Sequence, residues 1–162
     1  MSRTILLVRH AKSVGGRHDR HLYPKEGAPL DDKGFDDAAK LKSEFLDRGI
    51  NLVTEPVAVS QLVRTRQTAE WAGLKNIKEY ASLNEVNSGL SPEELDFVIK
   101  NKQVPAVAVR AARRLLKNPP NEKIWVTHGT LIAAIAYVLG IPADELYIPE
   151  MASVVDLKIH NI

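Results

Sequence analysis

The aliphatic run from Thr4 to Val8 stops abruptly at Arg9 and His10. It is short, rich in branched residues and free of polar alternation, the pattern of a strand buried on both faces. Gly15 to Pro29 then has loop chemistry, with Gly15, Gly16, Pro24, Gly27 and Pro29. Ala38, Leu41 and Phe45 recur at helical spacing and predict a helix from about Phe35 to Arg48, with Gly49 as its stop. After Pro56, Val57 to Ser60 reads as a second short strand, and Gln61 to Gly73 as a helix that again ends at a glycine.

The alternation continues with a strand around Ile77 to Tyr80. Ser91 as N-cap, Pro92 at the first helical position and Glu94 closing a capping box predict a helix of about ten residues. Ala108, Ala111, Ala112, Leu115 and Leu116 give the next segment an apolar helical face, and it ends in the turn "NPPN". Lys123 to Thr127 is another buried strand, followed by "HGTLIAAIAYVLG", a helix that stops at Gly140. Val155, Leu157 and Ile159 alternate with Asp156 and Lys158, the pattern of a half-exposed terminal strand.

Strands alternating with helices predict an α/β fold, a three-layer α/β/α sandwich around a mostly parallel sheet. The 162 residues suit a single domain spanning 1–162, long enough to remove roughly two thirds of the unfolded surface from water. Ligands of such sheets bind beyond the carboxyl ends of the strands. Arg9 and His10, then Ser60 and Arg64, then His128 all fall just past predicted strands, so three strands direct cationic or titratable groups to one edge.

Composition narrows the chemistry. The chain has no cysteine, which excludes disulfides, thiolate nucleophiles and cysteine-based metal sites. The apolar run near the start meets Arg9 too soon for a signal peptide, and the longest apolar run, Leu131 to Leu139, is too short for a membrane span. A cytoplasmic protein without membrane contact is expected. Net charge is only +2, but residues 9 to 25 hold Arg9, Lys12, Arg17, Arg20 and Lys25 against Asp19 alone, together with His10, His18 and His21. This window is either a solvated basic loop or a collector of anionic substrate. Nucleic-acid binding through it is the weaker reading, because no aromatic stacking platform accompanies the charge.

Arg9, Arg64 and His128 would surround His10 with positive charge, and guanidinium forks match the oxygens of a phosphoryl group. His128 and Gly129 open a helix, whose first N–H groups and dipole favour an anion. His10 is then a candidate nucleophile, able to form a phosphohistidine without metal activation, provided a backbone carbonyl holds its second ring nitrogen. Glu85, in "LNEVNSG", is the best available acid for the leaving oxygen and base for the hydrolytic water; its alternative is a simple turn residue. Arg66 in "RTRQ" could exchange roles with Arg64. His18 and His21 lack an accompanying carboxylate pattern and read as loop residues near the substrate entrance, and His160 as inert. No metal or organic cofactor is called for.

At this point the residues resemble the histidine phosphatase superfamily, also called the phosphoglycerate mutase-like family. "VRHAKS" is similar to its Arg-His-Gly signature, "APLDDKG" to its Pro-Leu-x-x-x-Gly element and "SQLVRTRQTAE" to its Ser-x-x-x-Arg-x-x-x-Thr segment. "LNEVNSG" resembles the acid-bearing loop and "WVTHGT" the second histidine motif, and the five occur in family order. The resemblance implies that His10 is the phosphorylated nucleophile, that Arg9, Arg64 and His128 form the phosphate pocket, and that Glu85 donates the proton. It adds Ser13 and Gly129 as secondary phosphate contacts and prefers Arg64, four residues after Ser60 and four before Thr68.

There are departures. Ala11 stands where the signature has glycine, Gly16 where many mutases carry asparagine, and Val86, Asn87 and Ser88 where glycolytic mutases carry Arg-His-Tyr. The chain also has no room for the long capping insertion of larger members. The implied function is therefore a phosphatase acting on a phosphorylated small molecule or on a phosphohistidine protein, in the manner of the bacterial protein-phosphohistidine phosphatases. Mutase-like phosphoryl transfer and a catalytically degenerate anion-binding regulatory module are the alternatives.

Overall fold

The computed structural model describes residues 2–15 and 25–160. Five strands form one sheet: β1 (Ser2–Arg9), β2 (Pro56–Val59), β3 (Asn76–Glu79), β4 (Ile124–Thr127) and β5 (Val154–His160). Their order across the sheet is β3-β2-β4-β1-β5, with β1 to β4 mutually parallel and β5 antiparallel to β1. The helices are α1 (Asp32–Asp47), α2 (Val63–Trp71), α3 (Pro92–Lys100), α4 (Ala106–Lys117) and α5 (Gly129–Val138). This is the expected mixed α/β architecture with a mostly parallel sheet. Among the described residues no helix is long and apolar enough to cross a membrane.

The continuous apolar runs resolve into two faces. Ile5, Leu7 and Trp125 point to one side and pack with Ala108, Ala112 and Leu115 of α4 and Leu131 and Ile135 of α5. Leu6, Val8, Ile124 and Val126 point to the other and meet Leu41 and Phe45 of α1, Ala69 of α2 and Ala72 at the C-cap of α2. Side chains alternate along a strand, so a strand covered by helices on both faces must be apolar at every position. Ile5 to Val8 and Ile124 to Thr127 are accordingly buried throughout.

Element ends move where local hydrogen bonding outweighs apolar periodicity. Helix α1 starts at Asp32 rather than near Phe35, because the Asp31 side chain accepts from the Gly34 N–H and caps it. Helix α2 starts at Val63, not Gln61, since Leu62 is extended. Strand β2 stops at Val59, one residue before Ser60, and β3 is set one residue earlier than expected. The capping box of Ser91 and Glu94 forms as read.

The returning chain explains the antiparallel edge. Helix α5 carries it away from the carboxyl edge, and the segment after α5 brings it back, so that Ala152 N–H reaches the Arg9 carbonyl at 3.0 Å. Strand β5 then begins beside the end of β1, with Val154 opposite Val8, and must run the other way. Leu157 and Ile159 face the core, whereas Asp156, Lys158 and His160 are exposed.

Candidate active site

The central strands β2, β4 and β1 are neighbours, so the residues following them converge. His10 follows β1, and its backbone N–H donates to the Thr127 carbonyl at the end of β4 (3.0 Å). Its Nδ1 lies 2.6 Å from the Ala11 carbonyl, a bond in which the ring must donate. The proton is thereby held on Nδ1, and the Nε2 lone pair faces the Arg64 Nε–H at 3.3 Å. His10 is 8% exposed, enough for a ligand to reach the ring and little enough to limit water.

Ala11 is the departure from the family signature, and its surroundings account for it. Its carbonyl holds His10, and its N–H donates to Thr68 Oγ1 at 3.0 Å, which in turn donates to the Arg64 carbonyl at 2.7 Å. Its methyl packs with Leu30 and Ala38. The position thus ties the backbone around His10 to α2 while filling a small apolar cluster.

Arg64 lies in the first turn of α2 and is 7% exposed. Its Nη2 donates to Glu85 Oε2 at 2.8 Å. Arg66, two residues on, turns outward to Glu79 at 2.7 Å, which separates the two arginines. Glu85 reaches the cluster from the segment after β3, where Leu83 is buried and its carbonyl accepts from Thr127 Oγ1.

Arg9 extends along the start of α5. Its Nη1 donates to the Pro149 carbonyl at 2.7 Å, and its Nε is buried without a hydrogen-bond partner among the described residues. Burial lowers its pKa from the ordinary guanidinium value, with the charge of Glu85 opposing. Gly129 allows the close pass: a Cβ there would lie 2.9 Å from Arg9 Nε. His128, the N-cap of α5, is buried, with its ring centroid 5.2 Å from that of His10 and its Nε2 2.9 Å from Ser60 Oγ.

Five predicted residues, Arg9, His10, Arg64, Glu85 and His128, therefore meet at one edge, with Gly129 beneath Arg9. Ser13 is half-buried in an isolated bridge with Leu30, on the segment that leaves His10. Gly16, Arg17, His18, Arg20 and His21 lie outside the described residues; Lys12 pairs with Asp31 at 3.1 Å. Ser60, Thr65 and Gly27 also shape the site, although sequence reasoning gave them no role in it. Ser60 and Thr65 hydroxyls bond each other at 2.8 Å, and a Cβ on Gly27 would lie 2.5 Å from Arg64 Nη1. The positive φ of Gly27 was not readable from composition, but the place of Ser60 after a strand was.

What the arrangement can do is hold a polyanionic group against an imidazole nitrogen. The buried Arg64, the half-buried Arg9 and the N-terminus of α5 supply positive charge in a largely buried site, where water screens such charge least. One carboxylate stands at its margin. Among the described residues no group of three or more metal-ligating side chains converges. A cavity of about 800 Å³ opens on the flank between α4, α5 and residues 140–147, and none of the clustered residues lines it.

The sequence matches the family model of the histidine phosphatase superfamily (branch 1) over residues 5–105. Comparison with curated proteins finds no match. Among solved structures, the chain is similar to TTHB049 from Thermus thermophilus, with TM-score 0.69 and 22% identity over 96% of this chain and 93% of that one. It is also similar to the product of the open reading frame Rv3214 from Mycobacterium tuberculosis, with TM-score 0.68 and 20% identity over 95% and 90%. A mycobacterial hydrolase shares the fold at TM-score 0.63 and 20% identity, over 98% and 91%.

Proposed function

Since the chain belongs to the histidine phosphatase superfamily, branch 1, whose chemistry is phosphoryl transfer and hydrolysis, we propose that it is a phosphatase working through a phosphohistidine on His10. The supporting observation is the state of His10: its Nδ1 proton is engaged by the Ala11 carbonyl, and its Nε2 lone pair stands beside the Arg64 guanidinium. An imidazole so oriented is a nucleophile that needs no further deprotonation.

In the proposed reaction the phosphoryl group of the substrate sits among Arg9, Arg64 and His128, with its leaving oxygen toward Glu85. Nε2 attacks phosphorus, the N–P bond forms and the P–O bond to the leaving group breaks. Glu85 delivers the proton that the leaving oxygen requires, and the charge on the transferring group is met by the two guanidinium groups. Glu85, now ionised, takes a proton from water as that water attacks phosphorus, releasing phosphate and restoring His10. A bound phosphoryl group competes with Glu85 for the Arg64 guanidinium, which loosens their ion pair.

The substrate is a phosphomonoester or a protein phosphohistidine, met in the cytoplasm and without nucleic acid or membrane as partner. No residue equivalent to the mutase Arg-His-Tyr follows Glu85, so hydrolysis is favoured over mutase-like transfer. The test is a rapid quench with phosphorylated substrates. Phosphate that is labile to acid, stable to base and absent in His10→Asn supports the reading; turnover that persists in His10→Asn overturns it.

A further inference from the structure

We infer that the hydroxyl pair of Ser60 and Thr65 fixes His128 as the Nε2–H tautomer, the reverse of His10, so that this ring must gain a second proton before it can donate to a phosphoryl oxygen. Counting hydrogens decides the direction of each bond. Thr65 Oγ1 lies 2.9 Å from the Leu62 carbonyl and 3.2 Å from the Ser60 carbonyl, and its single hydrogen belongs to these acceptors. It therefore has none to give Ser60, and the 2.8 Å contact between the two hydroxyls is a bond donated by Ser60. Ser60 has then spent its own hydrogen. Its oxygen accepts from the Leu62 N–H at 3.2 Å, and the 2.9 Å contact with His128 Nε2 closes only if the imidazole donates.

The opposite direction fails the same count. If Thr65 donated to Ser60 and Ser60 to His128, both the Leu62 carbonyl and the carbonyl of the fully buried Ser60 would lose the one hydroxyl hydrogen directed between them. Buried polar groups strongly avoid that outcome. Ser60 and Thr65 are thus positioning residues that act through His128.

The consequence rests on the phosphatase reading; the tautomer does not. With Nε2–H committed to Ser60, Nδ1 is the nitrogen that His128 can offer a phosphoryl oxygen, and in the neutral ring Nδ1 is a lone pair, which repels an anion. Donation requires the imidazolium. The groups around the ring pull in both directions: Arg9 and His10 at the end of β1 and Arg64 on α2 oppose the added charge, while Glu85 and a bound anion favour it. Anion binding is therefore coupled to proton uptake at His128.

The tautomers can be read directly in the whole protein labelled with 15N-histidine. Above the imidazole titration range, long-range proton–nitrogen spectra, assigned with His10→Asn and His128→Asn, should show His10 protonated at Nδ1 and His128 at Nε2. Thr65→Ser, which keeps the hydroxyl, should preserve the His128 pattern, and Ser60→Ala should give a mixture of both tautomers. An Nδ1–H pattern for His128 in the unaltered protein overturns the inference. Sulfate, which does not titrate in this range, tests the coupling in the His10→Asn background. Its affinity should fall by up to about tenfold per pH unit as His128 deprotonates, and less steeply when Ser60→Ala is added. Equal slopes overturn the coupling, whereas failure to trap a phosphoenzyme bears only on the catalytic reading.

Discussion

Arg64 and Glu85 form an ion pair of 2.8 Å in which both partners are largely buried, one from α2 and the other from the segment after β3. The same guanidinium reaches His10 Nε2 through its Nε, so one side chain joins the proposed nucleophile to the proposed acid. Glu85→Gln keeps the shape and removes the proton. It should lower kcat on alkyl phosphates by about 10²- to 10³-fold, because an alkoxide is a poor leaving group. On protein phosphohistidine or an aryl phosphate, whose leaving groups depart more readily, the loss should be at least tenfold smaller. Steady-state rates on an alkyl and an aryl ester measure the difference, and equal losses on both contradict the assignment.

Arg64 uses two different nitrogens for two partners in one plane, a geometry that a lysine cannot copy with a single ammonium. Arg64→Lys should therefore cost about 10²- to 10³-fold in kcat, in the range for loss of one preorganised donor. Arg66→Lys alters an exposed pair with Glu79 and should leave kcat/KM within about twofold, as expected of weak surface pairs. Comparing the two variants on one substrate decides which arginine serves the site.

The strands, helices and their converging edge were readable because they follow from apolar periodicity and from one topological rule. Helix α4, for example, needed only Ala108, Ala112 and Leu115 on one face. What sequence could not supply was hydrogen-bond direction and close approach. Whether Ser60 would turn to His128 depends on a strand ending at Val59, and the tightness of Gly129 against Arg9 depends on where the segment near Pro149 returns. Ala11 stood out as a mismatch to a signature, and only its neighbours reveal that a methyl fits there.

Asp31 connects the segment after His10 to the first helix. Its carboxyl accepts from the Gly34 N–H at 2.7 Å and pairs with Lys12, and its N–H donates to the Lys12 carbonyl. The Gly34 bond chiefly holds its pKa below the ordinary value; burial opposes it, and Lys12 and Lys33 lower it further. Folding thus favours the ionised form: the stabilisation is present above the ordinary carboxyl pKa of about 4 and is lost as pH falls through the lowered folded value. Asp31→Ala should cost about 1 kcal/mol at neutral pH, a drop of about 2–4 °C in Tm. Thermal melts of both proteins should converge toward acid, and a gap that widens there contradicts the capping role.

Gly129 carries the tightest constraint on Arg9. A Cβ at this position would stand 2.8 Å from Ile148 Cγ2 and 2.9 Å from Arg9 Nε, contacts that no side chain tolerates without movement. Arg9 cannot retreat along its own chain, because its Nη1 is fixed on the Pro149 carbonyl and its backbone carbonyl on Ala152 N–H. Gly129→Ala should therefore shift the guanidinium out of the proposed phosphate pocket, at a cost of about 1–3 kcal/mol in stability for the overpacking. A misplaced electrostatic donor acts on bound anion as well as on the transition state, so both sulfate affinity and kcat/KM should fall, the latter by about tenfold or more. Gly140→Ala provides the control, since a Cβ there meets nothing within 4 Å although its φ of +80° is unfavourable to alanine. It should lower Tm and leave sulfate affinity unchanged. If the two variants lose stability alike and bind sulfate alike, Arg9 is not held by the close pass at Gly129.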